Sequence, residues 1–131
     1  MANSTSKNSD CIKLLEECLA AWNTADAGKV ASYYAESLDY RDPNVPQGIA
    51  KREDFVRYLR VLFRRWPSQE WKPVEVMPHE NPGAFSVAYH YRYANKTREI
   101  KGWGMDRIEF EGDKIRLNHV YLNAEPGIAG G

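Results

Sequence analysis

The chain has 131 residues, 43% of them hydrophobic and 27% charged, with 18 Lys and Arg against 18 Asp and Glu. That is the size of one ordinary domain, with enough length to bury a core. The balanced charge gives no basic footprint for nucleic acid or a membrane surface, and no apolar run approaches the roughly 20 residues that span a bilayer.

The opening stretch, MANSTSKNSD, is polar and lacks the apolar core of a secretory signal. Residues 1–8 are expected to form a disordered lead, 9–124 a single domain and 125–131 a flexible tail. The protein is expected in the cytoplasm. Its only cysteines, Cys11 and Cys18, fit that compartment as free thiols. Seven residues apart in one helix, they stand about 10 Å apart along its axis, too far to bridge.

Ser9 and Asp10 suit a helix N-cap. After them Ile12, Leu15, Leu19 and Trp22 recur at spacings of three and four, the stripe of an amphipathic helix. Asp26 caps a second, shorter helix with Val30, Tyr33 and Tyr34 on its apolar side. Ser37 to Tyr40 read as a short strand, and RDPNVPQG as a loop. Lys51 to Trp66 form a third helix, with Phe55, Leu59, Leu62 and Trp66 in one stripe and five arginines facing away. Pro67 stops it.

The period then changes from 3.6 to 2. WKPVEVMP, AFSVAYHYRYA, KGWGMDRIEF and KIRLNHVYLN read as strands, separated by the turns HENPG, NKT and EGD. Helices and strands are segregated, which predicts an α+β fold. A curved antiparallel sheet wraps around three helices and forms a cone-shaped pocket.

Strand parity picks out the candidate site. On KGWGMDRIEF, one face carries Gly102, Gly104, Asp106, Ile108 and Phe110. Glycine inside a strand marks a place where a ligand or another backbone comes close. This face therefore reads as the floor of a cavity holding an acid, or as a strand whose aspartate meets a cation across the sheet. An aspartate among Ile108 and Phe110 needs a partner, for which Arg92, Arg98 and Asn118 are available. Without one its pKa rises, and it becomes a donor to a carbonyl oxygen.

Tyr89, Tyr91 and Tyr93 share one face of the preceding strand and are expected to line the same concavity. Trp22, Phe55, Leu59 and Phe63 supply the helical wall. Cys18 reads as a pocket group or as a small buried hydrophobe. Asp42, before Pro43, reads equally as a turn residue bonded to its own backbone and as a functional group on a loop.

His79 falls in a turn. His90 and His119 fall on the outer sheet face, and a register slip of one residue would turn them inward. The three histidines lack metal-ligand spacing, and there is no phosphate loop or nucleophile elbow. No metal and no cofactor are expected. The convex face, with Ala88, His90, Trp103, Met105 and Tyr121, is too apolar to stay wet and predicts a homodimer through it.

Together, WNTAD at the end of the first helix, YRDP after the first strand and the hairpin G-M-D-x-I-x-F-x-G-D-K-I carry a resemblance. Over about Cys11 to Asn123 the chain resembles the nuclear transport factor 2-like superfamily, closest to its ketosteroid isomerase and SnoaL-like polyketide cyclase branch. The resemblance implies a cystatin-like cone.

It also implies that Asp42 stands where ketosteroid isomerases keep a general base. Asp106 stands where they keep a protonated aspartate that polarises the substrate oxygen, a known case of a carboxylic acid held neutral by an apolar site. The tyrosine that completes that oxyanion hole falls on Cys18, which is no strong donor. Asn118, Val120 and Leu122 are implied to point into the cone. Val120 takes the place where SnoaL-type cyclases and limonene epoxide hydrolases carry a catalytic aspartate.

The function expected from residues and resemblance together is a small cofactor-free enzyme. It acts on a hydrophobic carbonyl-type molecule by general acid/base proton transfer, as an isomerase or cyclase, with Asp42 and Asp106 catalytic. Asn118 and Val120 are counted among the substrate-binding residues. Two alternatives stand beside it: a non-catalytic small-molecule-binding protein of the same fold, and a dehydratase using a His/Asp site.

Overall fold

The computed structural model describes residues 4–124. The expected lead over 1–3 and the tail over 125–131 lie outside the described residues. The element order is α1 (Ser4–Asn23), α2 (Ala27–Ala31), β1 (Tyr34–Arg41), β2 (Ile49–Lys51), α3 (Arg52–Arg65), β3 (Ser68–Pro78), β4 (Ala84–Ala94), β5 (Glu99–Glu111) and β6 (Lys114–Ala124). The fold is α+β: three helices packed against one six-stranded sheet, in the order β2-β1-β6-β5-β4-β3.

Three features differ from the sequence reading. Helix α1 starts at Ser4, before the Ser9–Asp10 cap, so residues 4–8 are helical and not a disordered lead. Asn8 Oδ1 accepts a hydrogen bond from Gly83 N at 3.0 Å, which docks the first turns on the β3–β4 connection. Helix α2 is only five residues long. The Tyr33 carbonyl is taken by Ile115 N at 2.9 Å, and Tyr34 enters β1.

The third difference is that the sheet is mixed. β3 to β6 are joined by hairpins and run antiparallel, but β1 pairs with β6 in parallel. A short turn forces antiparallel pairing, whereas strands joined by a long connection are free of that constraint. The long stretch between β1 and β6 removes it here.

Side-chain parity on the long strands is as read. Phe85, Val87, Tyr89 and Tyr91 of β4 are buried, as are Asp106, Ile108 and Phe110 of β5. The register of β5 on β6 shifts between Glu109 and Phe110. Such a bulge inserts one residue and bends the strand. It lets both Ile115 and Asn118 face inward, and from Asn118 onward the even-numbered residues point at the helices. The β5–β6 turn is two residues long, and Gly112 at φ 62° supplies the positive φ that it needs. Among the described residues, no helix is long and apolar enough to cross a membrane.

The space above Gly104 is not a cavity floor. A Cβ built there would lie 2.9 Å from the Tyr89 ring, from Leu122 Cδ2 and from the Tyr121 carbonyl oxygen. Tyr89 is the register partner of Gly104. The glycine is therefore the gap into which the Tyr89 ring lies. Gly104→Ala is expected to cost about 1–3 kcal/mol by overpacking, read as a lower midpoint in urea unfolding, because the backbone oxygen cannot move aside.

Candidate active site

Two buried aspartates stand on one small cavity, and their surroundings are built differently. Asp42 follows the end of β1 and precedes Pro43, so its side chain folds back on the chain. Oδ1 accepts from Asn44 N at 2.8 Å and from Val45 N at 3.2 Å. Oδ2 accepts from Tyr40 Oη at 2.7 Å and from Tyr58 Oη at 2.6 Å. A carboxylate has about four acceptor sites, and all are filled.

Both the turn-residue and the pocket readings of Asp42 therefore describe the same side chain. Tyr40 and Tyr58 were not singled out in the sequence. Tyr40 shares strand parity with Asp42. Tyr58 lies three residues after Phe55 and four before Leu62, on the buried stripe of α3, and that spacing was the available signal.

Asp106 sits mid-strand on β5, buried, with no cation beside it. Oδ1 accepts from Tyr89 Oη at 2.5 Å, and Oδ2 from Asn118 Nδ2 at 3.0 Å. Asn118 Oδ1 in turn accepts from Tyr34 Oη at 2.7 Å. Of the three partners expected, Asn118 is the one that forms. Arg92 pairs instead with Glu99 at 2.5 Å.

Burial pushes the Asp106 carboxyl up to about 7. The Tyr89 and Asn118 hydrogen bonds oppose the rise, and the charge of Asp42 adds to it. Burial also pushes the Tyr89 and Tyr34 hydroxyls well above the usual phenol range. A phenol does stand beside Asp106, and it comes from the sheet, as Tyr89. Cys18 is pushed up to about 12 by burial and is an inert thiol.

The cavity measures about 90 Å³. Its walls include the rings of Trp22, Trp66, Trp71, Tyr40, Tyr89 and Tyr93, with Val120 and Leu122 closing one side. Of the expected binding residues, Trp22, Tyr89 and Val120 reach it. The others stand behind the wall. Phe55 and Leu59 are fully buried in the core. Phe63 packs edge-on against Trp22 at 5.6 Å, and Tyr91 stacks on Trp71 at 5.4 Å. Cys18 and Asn118 are buried behind Tyr34 and Asp106.

A buried glutamine locks two of the tryptophans. Gln69 Nε2 donates to the Trp66 carbonyl at 2.8 Å, and Gln69 Oε1 accepts from Trp71 Nε1 at 2.9 Å.

Histidine does not line the cavity. His79 bonds Ser86 at 2.7 Å in the β3–β4 hairpin. His90 is exposed on the outer face, and His119 lies 3.2 Å from Asp39. With Asp106 opposite Val120 in register, the slip that would turn His119 inward does not occur. The His/Asp dehydratase site is not formed. Among the described residues, no group of three or more His, Cys, Asp or Glu is placed to hold a metal ion.

The sequence model of the SnoaL-like domain matches residues 15–118. No curated protein matches the chain in sequence. Solved structures share the fold at low identity. An LEH-like epoxide hydrolase from M. tuberculosis superposes with a TM-score of 0.76 at 17% identity, over 88% of this chain and 84% of that one. A candidate polyketide cyclase from Xanthomonas campestris gives 0.75 at 14%, over 89% and 93%. A protein with a ketosteroid isomerase-like fold from Catenulispora acidiphila, in complex with trimethylamine, gives 0.74 at 12%, over 84% and 85%.

The Asp106 shift has a sign that can be measured. Its carboxyl rises from the ordinary 3.8 to about 7 in the folded chain, so the folded state binds the proton more tightly. The stability this gives is complete below about pH 4 and is lost as pH rises through about 7, by on the order of 4 kcal/mol. Urea unfolding at pH 5 and pH 8 should show wild type losing more stability over that interval than Asp106→Asn. Equal losses would remove the assignment.

Proposed function

The chain belongs to the SnoaL-like domain family, and from that membership and its cavity we propose that it is a small, cofactor-free acid/base enzyme of the cytoplasm. It acts on a hydrophobic carbonyl compound as an isomerase or cyclase. The observation that carries this reading is that Asp42 and Asp106 face one aromatic cavity while Asp106 titrates near 7. A group that changes protonation near the working pH is suited to give and take a proton.

In the proposed step the neutral Asp106 donates its proton to the carbonyl oxygen. Asp42 takes the proton from the adjacent carbon, and the C–H electrons form the C=C bond of an enol. In an isomerase Asp42 returns the proton to a different carbon, the C=O bond reforms, and Asp106 recovers its proton. In a cyclase the enol carbon attacks a second carbonyl, whose oxygen takes the proton held by Asp42, while the first C=O reforms and returns the enol O–H proton to Asp106. For Asp42 to act, one of its four donors must leave. Tyr58 is only half-buried and is the donor best placed to swing away. The trimethylamine of the Catenulispora protein is a compact molecule and supports a ligand small enough for this cavity.

The filled acceptor sites of Asp42 favour a second reading, a binding protein without chemistry. Deuterium incorporation beside the carbonyl of a small cyclic ketone in D2O separates the two. The enzyme reading expects exchange in wild type, none in Asp42→Asn, and a loss of about 10²-fold or more in Asp106→Asn. Undiminished exchange in Asp42→Asn would sink the mechanism. Binding with no exchange, indifferent to Asp42→Asn, would establish the second reading.

A homodimer through the outer sheet face is also proposed. Trp103 and Tyr121 are 51% and 62% exposed, with Met105 between them across the β5–β6 pair. Exposed aromatics in one patch mark an interaction surface. Light scattering should give twice the chain mass, and Trp103→Lys should lower it to that of one chain. A one-chain mass for wild type would rule the dimer out.

A further inference from the structure

The cavity opens to solvent on one side. Tyr89 and Asp106 are buried deep in it, whereas Pro43 and Asn44 are exposed at its rim and Leu62 and Tyr93 are half-buried there. No basic side chain lines the cavity, but two stand on one of its wall rings. The guanidinium carbons of Arg65 and Arg98 lie over Trp66, 5.7 and 5.9 Å from the ring centroid. Trp66 in turn meets Tyr93 edge-on at 4.9 Å. The field of the two arginines reaches the rim. Burial and the charge of Asp42 push the Tyr93 hydroxyl up, and the charges of Arg98 and Arg65 oppose the rise.

One side chain ties the segments that carry these arginines together. Asn95 Oδ1 accepts from Thr97 N at 2.9 Å and from Arg98 N at 2.9 Å, which shapes the β4–β5 turn. Asn95 Nδ2 donates to the Arg65 carbonyl at 3.1 Å, which joins that turn to the end of α3. Stacking on Trp66 accounts for one cation. A second at the same ring is repelled by the first. The ion pairs of the described residues take Arg41, Arg57, Arg92, Arg107 and Arg116 and leave both Arg65 and Arg98 without a carboxylate. Both are exposed, so a counter-charge can reach them from solvent.

We propose that the ligand carries a carboxylate at the end remote from its carbonyl. The carbonyl and the apolar body enter the cavity, and the carboxylate stays at the rim, bound by Arg65 and Arg98. Guanidinium groups pair with carboxylates through charge-assisted hydrogen bonds. A singly charged group fits better than a phosphate, because the charge of Asp42 also acts at the rim. The proposal rests on the reading of the cavity as the ligand site and not on its catalysis. If both hold, the substrates are hydrophobic keto acids.

Calorimetric titration of the full chain with two probes tests it. 3-(2-Oxocyclohexyl)propanoate carries the carboxylate, and 3-(2-oxocyclohexyl)propanamide is its uncharged isostere. The carboxylate is expected to bind about fivefold or more tightly at low salt, since exposed ion pairs are individually weak. The preference should shrink at about 1 M salt, where charges are screened within about 3 Å. Arg65→Gln and Arg98→Gln should each reduce it, and the double variant should abolish it. Arg60→Gln makes the same change of charge beside α2, away from this rim, and should leave the preference intact. Equal or tighter binding of the amide overturns the proposal, as does no binding of the carboxylate or a preference that survives the double variant.

Deuterium exchange separates this proposal from the catalytic one. A preference for the carboxylate without exchange keeps the rim site and removes the catalysis. Exchange into the amide, with no preference for the carboxylate, does the reverse.

Discussion

The placement of one carboxyl group organises the inner face of this sheet. Asp106 is buried mid-strand without a cation, so its two oxygens depend on neutral donors. Each donor is held by something further away. Tyr89 can lie flat enough to reach it only because its register partner, Gly104, has no side chain. Asn118 points inward only because a bulge shifts the register of β6, and Tyr34 fixes its amide from the far side. A buried polar network is stable when every member is satisfied, and this one draws on four strands to achieve it.

Asp42 is held in the opposite manner. Two of its four bonds come from the next residues in its own turn, which needs only the local Asp-Pro geometry. The other two come from tyrosines that the strand and α3 deliver. The two acids therefore share a cavity but differ in setting. One is surrounded by donors at a loop, and the other is set deep in the sheet and raised to about 7 by burial.

The aromatic wall is rigid for a separate reason. Trp71 meets Trp22, Tyr89 and Tyr91 at 5.3 to 5.7 Å, and Gln69 bonds to Trp66 and Trp71 from behind. Side chains fixed by such contacts lose little further freedom when a ligand arrives, which is the condition for tight binding in a small space. Phe55, Leu59 and Phe63, expected at the surface of the cavity, instead form the layer that supports it.

Read alone, the sequence determined the helices α1 and α3, the long strands and the inner or outer face of nearly every strand residue. These depend on periods of 3.6 and 2, which are local. It also placed Asp42 in a turn and Asp106 on the buried face. Tertiary structure alone decided which groups meet. The parallel β1–β6 pairing, the bulge in β6, the reach of Tyr58 from α3 and the filling of the Gly104 gap by Tyr89 all join residues far apart in the chain. Their geometry is set by sheet order and register, which carry no mark in a short window of sequence. For that reason the acids were legible and their hydrogen-bond partners were not.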